Sequence, residues 1–147
     1  MRALTYHGPH DIRCESVPDP ACPGDRGALV RVRAAGICGS DLHIWDGHGF
    51  VRGGGYTVGH EAVGTVAEVG PAVTRFAPGD EVFVPASAGC GRCDACLTGL
   101  VIMCGRPGEG GVYGVGHALG GCQAELVAVP AADTNLVAVP GGMGDDA

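Results

Sequence analysis

Hydrophobic and polar residues alternate in short runs along this chain. In ALVRVRA (28–34), Val30 and Val32 fall on one face and Arg31 and Arg33 on the other, the period-two pattern of a half-buried strand. GTVAEVG (64–70) and EVFVPA (81–86) read as strands in the same way, separated by the turn APGD (77–80). CQAELVAVP (122–130) and TNLVAVP (134–140) follow as further strands. Two short helical turns are expected, around Ser40 to Trp45 and around Asp94 to Gly99. No long amphipathic stretch or internal repeat occurs, and no strand runs into G-x-G-x-x-G and a helix. The pattern predicts a mainly β domain over residues 1–147, a barrel or sandwich with long functional loops.

Composition sharpens this. The chain has 28 glycines and 10 prolines in 147 residues, which favours turns over long helices. Aromatic residues are only 5%, so the core must come from Val, Ala, Leu and Ile. The formal net charge is −7, lysine is absent and no basic cluster occurs, which argues against nucleic acid and anionic membrane surfaces as partners. The start, MRALTYHGPHDIRCE, lacks the apolar core of a signal peptide, and the longest uncharged stretch, between Glu109 and Glu125, is too short and glycine-rich to span a bilayer. A soluble, cytoplasmic protein with reduced thiols is the expectation.

Four of the eight cysteines, Cys90, Cys93, Cys96 and Cys104, stand in a C-x2-C-x2-C-x7-C spacing within CGRCDACLTGLVIMC. Thiolates this close can converge on one ion, and zinc takes four such ligands in a tetrahedron. An iron–sulfur cluster is a second possibility, although the last gap does not fit the ferredoxin run C-x2-C-x2-C-x3-C-P. Free or disulfide-bonded thiols are a third. A four-thiolate zinc site has no open position for substrate, so this lobe, about residues 88–106, would hold a loop in place and do no chemistry.

Other ligand-type residues lie in GICGSDLH (36–43) and GHEAVGTVAEVGPAV (59–73): Cys38, His60 and the adjacent Glu61. The second stretch has the form G-H-E, two residues, G, five residues, G, two residues, V. With CGSDLH some twenty residues earlier and the four-cysteine lobe after it, the chain resembles the zinc-containing alcohol dehydrogenases of the medium-chain dehydrogenase/reductase family. The resemblance runs from MRALTYHGP to the VP near residue 140 and implies a GroES-like, partly open β-barrel with short helices and a zinc-binding loop lobe.

Position by position, the resemblance implies that Cys38 and His60 bind catalytic zinc, with Glu61 able to approach or join the metal. Asp41 would accept the other imidazole N–H of His60 and fix its tautomer. Ser40 would hydrogen-bond the substrate oxygen, and His43 would relay its proton towards solvent. Cys90, Cys93, Cys96 and Cys104 would form the structural zinc site. The implied reaction is oxidation of an alcohol or polyol to an aldehyde or ketone with NAD or NADP. Trp45 and Phe50 are candidates for the substrate cleft, with packing as the plainer reading. Cys14, Cys22 and Cys122 read as unassigned thiols, and His7, His10, His48 and His117 as solvated loop histidines.

In the family a Rossmann domain and a third zinc ligand follow this region, and neither is found up to Ala147. The tail GGMGDDA looks like a cut or a linker. The expectation is a domain inactive by itself, because nothing in it holds the nicotinamide. A stand-alone, non-catalytic zinc module derived from the family is the alternative. A zinc-independent reductase of the same superfamily is disfavoured by Cys38, His60 and the complete lobe.

Overall fold

The computed structural model describes residues 1–49 and 53–141. The chain opens with a hairpin, β1 (Arg2–Gly8) and β2 (Asp11–Ser16), and β1 also pairs with β4 (Tyr56–Thr57). The main sheet is built on β3 (Ala28–Ala35). It pairs on one side with β5 (Ala62–Val69) and on the other with β9 (Leu126–Val129). Beyond β5 lie β6 (Glu81–Val84) and β10 (Val137–Ala138), giving the order β10-β6-β5-β3-β9, antiparallel throughout. The third sheet is the pair β7 (Ser87–Ala88) and β8 (Gly111–Val112).

The alternation read in residues 28–34 holds. Val30 is fully buried and Val32 half-buried, while Arg31 and Arg33 face solvent. Val66, Val82, Val127 and Val129 complete an aliphatic core beneath the main sheet. A second cluster, Tyr6, Ile44, Tyr56 and Val58, fastens helix α1 (Gly39–Trp45) to the small sheet. The two sheets meet where Leu4 N–H donates to Gln123 O, Val58 N–H to Leu4 O and Gln123 N–H to Val58 O. This seam leaves the barrel partly open, and the loop from Val58 to Glu61 crosses it.

Two expected strands are shorter than the sequence pattern suggests. CQAELVAVP becomes regular strand only from Leu126, because Gln123 and its neighbours are used in the seam. TNLVAVP begins inside a short helix, α3 (Ala132–Asn135), and only Val137–Ala138 pairs as strand. There the Asn135 side chain bonds backbone carbonyls, the local competition that diverts a strand-like sequence into a turn. The β1–β2 hairpin carries little alternation, since Ala3, Thr5 and Tyr6 are all buried. Among the described residues no helix is long and apolar enough to cross a membrane.

Candidate functional site

Helix α1 starts just after Cys38, whose backbone N–H donates to Asp41 Oδ2 at 2.8 Å. A carboxylate in the first turn is favoured there by the orphan N–H groups and the helix dipole. It also pulls Asp41 inward, to 5% exposure. Facing α1 is Gly59, at φ +93°, where an added Cβ would lie 2.5 Å from Gln123 Cγ; only glycine fits this crossing. The turn delivers His60, 6% exposed, against the start of α1.

The metal-binding atoms of Cys38, His60 and Glu61 all lie within 4.8 Å of one another. Ser40 Oγ is 3.1 Å from His60 Nε2, and Glu61 Oε1 is 3.9 Å from the same nitrogen. On the far side of the ring, His60 Nδ1 faces Asp41 Oδ1 at 3.5 Å, and both atoms are buried with no hydrogen-bond partner. Hydrogen bonds with the Ser40 side chain and backbone, and then with His60, hold the Cys38 thiol below its ordinary pKa. The donor set therefore suits a borderline cation such as zinc: a thiolate, an imidazole and a carboxylate converge, and a proton on Nδ1 facing Asp41 would leave Nε2 free to bind.

A cavity of about 220 Å³ opens beside this cluster, lined by Ser40, His43, Ile44, His48, Gly49 and Val115. Ser40 and His43 thus share one hollow, Ser40 on the metal side and His43 exposed. His48, read from sequence as a loop histidine, is exposed but belongs to the same wall. Trp45 is not part of that lining; its ring packs edge-on against His10 at 5.4 Å. Phe50 lies outside the described residues.

The second cluster hangs from the β7–β8 pair. Cys93 precedes helix α2 (Asp94–Leu97), and Cys104 follows a 3-10 turn at Val101–Met103. The four sulfurs lie within 4.8 Å of one another, with Cys90–Cys96 and Cys93–Cys104 each at 3.9 Å. A tetrahedron of Zn–S bonds of about 2.3 Å has edges of about 3.8 Å, so the cage already has the size of a zinc site. A disulfide needs sulfurs at about 2.05 Å, and all four thiols are free. The thiols are electrostatically unequal. Desolvation works to raise Cys90, yet N–H groups of Arg92 and Cys93 and the thiols of Cys93 and Cys104 bring it down to about 6. Cys96 is pushed up to about 11 by desolvation and by its three neighbouring thiols.

The model of the alcohol dehydrogenase GroES-like domain matches residues 24–141. The chain belongs to that family. This alcohol dehydrogenase domain is 43% identical over 150 residues to a medium chain reductase/dehydrogenase of an Acremonium species, covering 100% of this chain and 49% of the relative. It superposes on the alcohol dehydrogenase from Thermus sp. ATN1 with a TM-score of 0.90 at 39% identity, covering 98% of this chain and 41% of that one. For the zinc dependent alcohol dehydrogenase 2 from Streptococcus pneumonia the TM-score is 0.88 at 36% identity, covering 99% and 40%. The chain therefore spans half or less of the length of these relatives.

Elsewhere in the alcohol dehydrogenase domain, Cys14 is exposed, Cys22 half-buried and Cys122 buried. His7 meets Glu15 at 2.9 Å, His10 lies 3.8 Å from Asp46, and His117 stacks edge-on against Tyr56. Two residues near the clusters escaped the sequence reading. Gln123 Nε2 donates to Gly36 O at 3.0 Å and to Asp41 Oδ2 at 3.3 Å. Asn135 reaches the backbone beside Cys90. Both act across long sequence separations that no local motif encodes.

Proposed function

We propose that residues 1–147 are the catalytic domain of a zinc-dependent, NAD(P)-linked alcohol or polyol dehydrogenase. Cys38 and His60, with Glu61 beside them, hold the catalytic zinc. Cys90, Cys93, Cys96 and Cys104 hold a structural zinc in the lobe at about 88–106. The convergence of Cys38, His60 and Glu61 beside the Ser40–His43 cavity carries this reading. Solved relatives named as zinc dependent and as NAD-dependent alcohol dehydrogenases support it.

Bound zinc supplies Lewis acidity, which makes an alcohol hydroxyl far more acidic and so readies its carbon to release hydride. The domain's own residues do the rest. Asp41 keeps a proton on His60 Nδ1 and so keeps Nε2 available. Ser40 Oγ, 3.1 Å from that nitrogen, is placed to accept the hydroxyl proton of a substrate entering the cavity as it releases its own. His43, on the same wall and open to solvent, takes the proton that Ser40 releases and passes it outward. Ile44 and Val115 give the cavity an apolar side for the carbon chain of a small alcohol or carbonyl compound.

The test is metal content and turnover together. The purified chain should carry two zinc ions and Cys38→Ser one. These 147 residues by themselves should show no saturable alcohol-dependent NAD(P)H formation. Two zinc ions retained in Cys38→Ser would overturn the catalytic zinc site, and turnover by these residues alone would overturn the expected inactivity while supporting the dehydrogenase reading.

A further inference from the structure

We infer that Asn135 is a positioning residue for the four-cysteine site: its amide fixes the backbone of Gly89 and so presets the direction of Cys90. The inference rests on the reading of the lobe as a zinc site. Asn135 is 5% exposed and lies on α3, outside the lobe. Its Oδ1 accepts from Gly89 N–H at 2.9 Å, and its Nδ2 donates to Gly89 O at 2.9 Å and Pro130 O at 2.6 Å. One side chain thus satisfies both backbone groups of the residue before the first ligand. The amide cannot be reversed, because Gly89 N–H needs an acceptor and the two carbonyls need donors.

Contacts on the next two residues make Asn135 part of a clamp. Arg26 Nη1 donates to Cys90 O at 3.2 Å. Gly91 sits at φ +72°, and a Cβ there would come within 2.6 Å of Thr134 Oγ1, so α3 packs directly on the lobe backbone. Residues 89, 90 and 91 are therefore each held from outside the lobe. The α3 platform is itself anchored. Ala132 N–H donates to Arg26 O at 2.7 Å, Leu136 is buried, and the Asp133 carboxylate receives the N–H groups of Thr74 and Arg75.

The lobe cannot supply this order alone. Neither α2 nor the 3-10 turn buries a residue, so packing within it is slight. A metal ion binding a disordered loop must offset the entropy of ordering it. A loop held in advance at its first ligand loses less, and binds more tightly. Partners beyond the ligand shell typically tune metal affinity roughly 10–100-fold.

The experiment uses cobalt(II) as the probe, bound to the purified chain in place of zinc. Thiolate-to-cobalt absorption reports the lobe, and its decay under excess chelator gives the release rate. Asn135→Leu is expected to speed release roughly tenfold or more. Asn135→Asp keeps an acceptor for Gly89 N–H but loses both donors, and is expected to fall between. Tyr6→Leu, which weakens the separate core cluster at the small sheet, is expected to release cobalt at the unsubstituted rate. If Asn135→Leu does not fold, Asn135→Asp against Tyr6→Leu decides. Release from the Asn135 variants no faster than from Tyr6→Leu would overturn the positioning role alone. Absence of a four-thiolate spectrum from the unsubstituted chain would overturn the metal reading and this role with it.

Discussion

Asp41 Oδ1 and His60 Nδ1 face each other at 3.5 Å, both buried and neither with a hydrogen-bond partner. A carboxylate there favours a proton on Nδ1 and so leaves Nε2 for a metal. Asp41 has a second task, because its other oxygen accepts the Cys38 N–H at the start of α1. Asp41→Asn can keep the second task and lose the first. Its expected effect is a roughly 10–100-fold fall in metal affinity at the Cys38–His60 site with little change in melting temperature. Asp41→Ala should lose both, with about 1 kcal/mol of additional destabilisation from the missing cap. Chelator competition and thermal unfolding on the two variants separate the effects. Unchanged affinity in Asp41→Asn would count against the tautomer argument.

The lobe should depend on its metal more than the sheets do. Leu97, Leu100, Ile102 and Met103 are all exposed, and no residue between Cys90 and Cys104 is buried, so little apolar burial holds residues 91–103. On the proposed reading of the lobe, a structural zinc would contribute roughly 10 kcal/mol or more of apparent binding free energy and be the main source of order beyond residues 89–91. Cys96→Ser is expected to abolish metal binding at the lobe and strip amide-exchange protection from residues 93–104. The amides of β5, within the main sheet, should stay protected. Loss of protection throughout the chain would show that the lobe is coupled to the core.

What the sequence discloses follows the range of the interactions. The four lobe cysteines are legible because short spacings group them, whereas Cys38, His60 and Glu61 are legible only through the resemblance carried by CGSDLH and the G-H-E stretch; the structure brings both groups together. The strand at 28–35 is legible because one of its faces is wet. The partners that hold these groups are not. Gln123 meets Asp41, and Asn135 meets Gly89, only after the chain has folded. The hairpin at 2–16 also lacks a signal, since its inner strand is buried on both faces and so does not alternate.

Cys122 and Cys14 should differ sharply in reactivity. Cys122 is fully buried, and burial, followed by the charge of Asp41, pushes its thiol up to about 12. Cys14 is exposed on β2. Thiolate is the reactive form, so Cys122 should resist alkylation near neutral pH in the folded chain while Cys14 reacts. Iodoacetamide labelling followed by peptide mass spectrometry checks this. Early labelling of Cys122 would mean that the seam between the sheets opens readily.

Asp133 gives the chain an acid-sensitive anchor for α3. Partial burial works to raise its pKa, but the N–H groups of Arg75 and Thr74 and the Thr74 hydroxyl outweigh it and hold the carboxyl below its ordinary range. The folded value is therefore below the unfolded one, about 3.9. Such a group contributes its full stabilisation above the unfolded pKa and loses it as pH falls through the folded pKa. Asp133→Asn can still accept hydrogen bonds but carries no charge to lose. The gap in urea midpoint between the native chain and Asp133→Asn is expected to be widest from about pH 5 to 7 and to close below about pH 4. A gap that stayed constant down to about pH 2.5 would show that the carboxylate charge adds nothing to the α3 anchor.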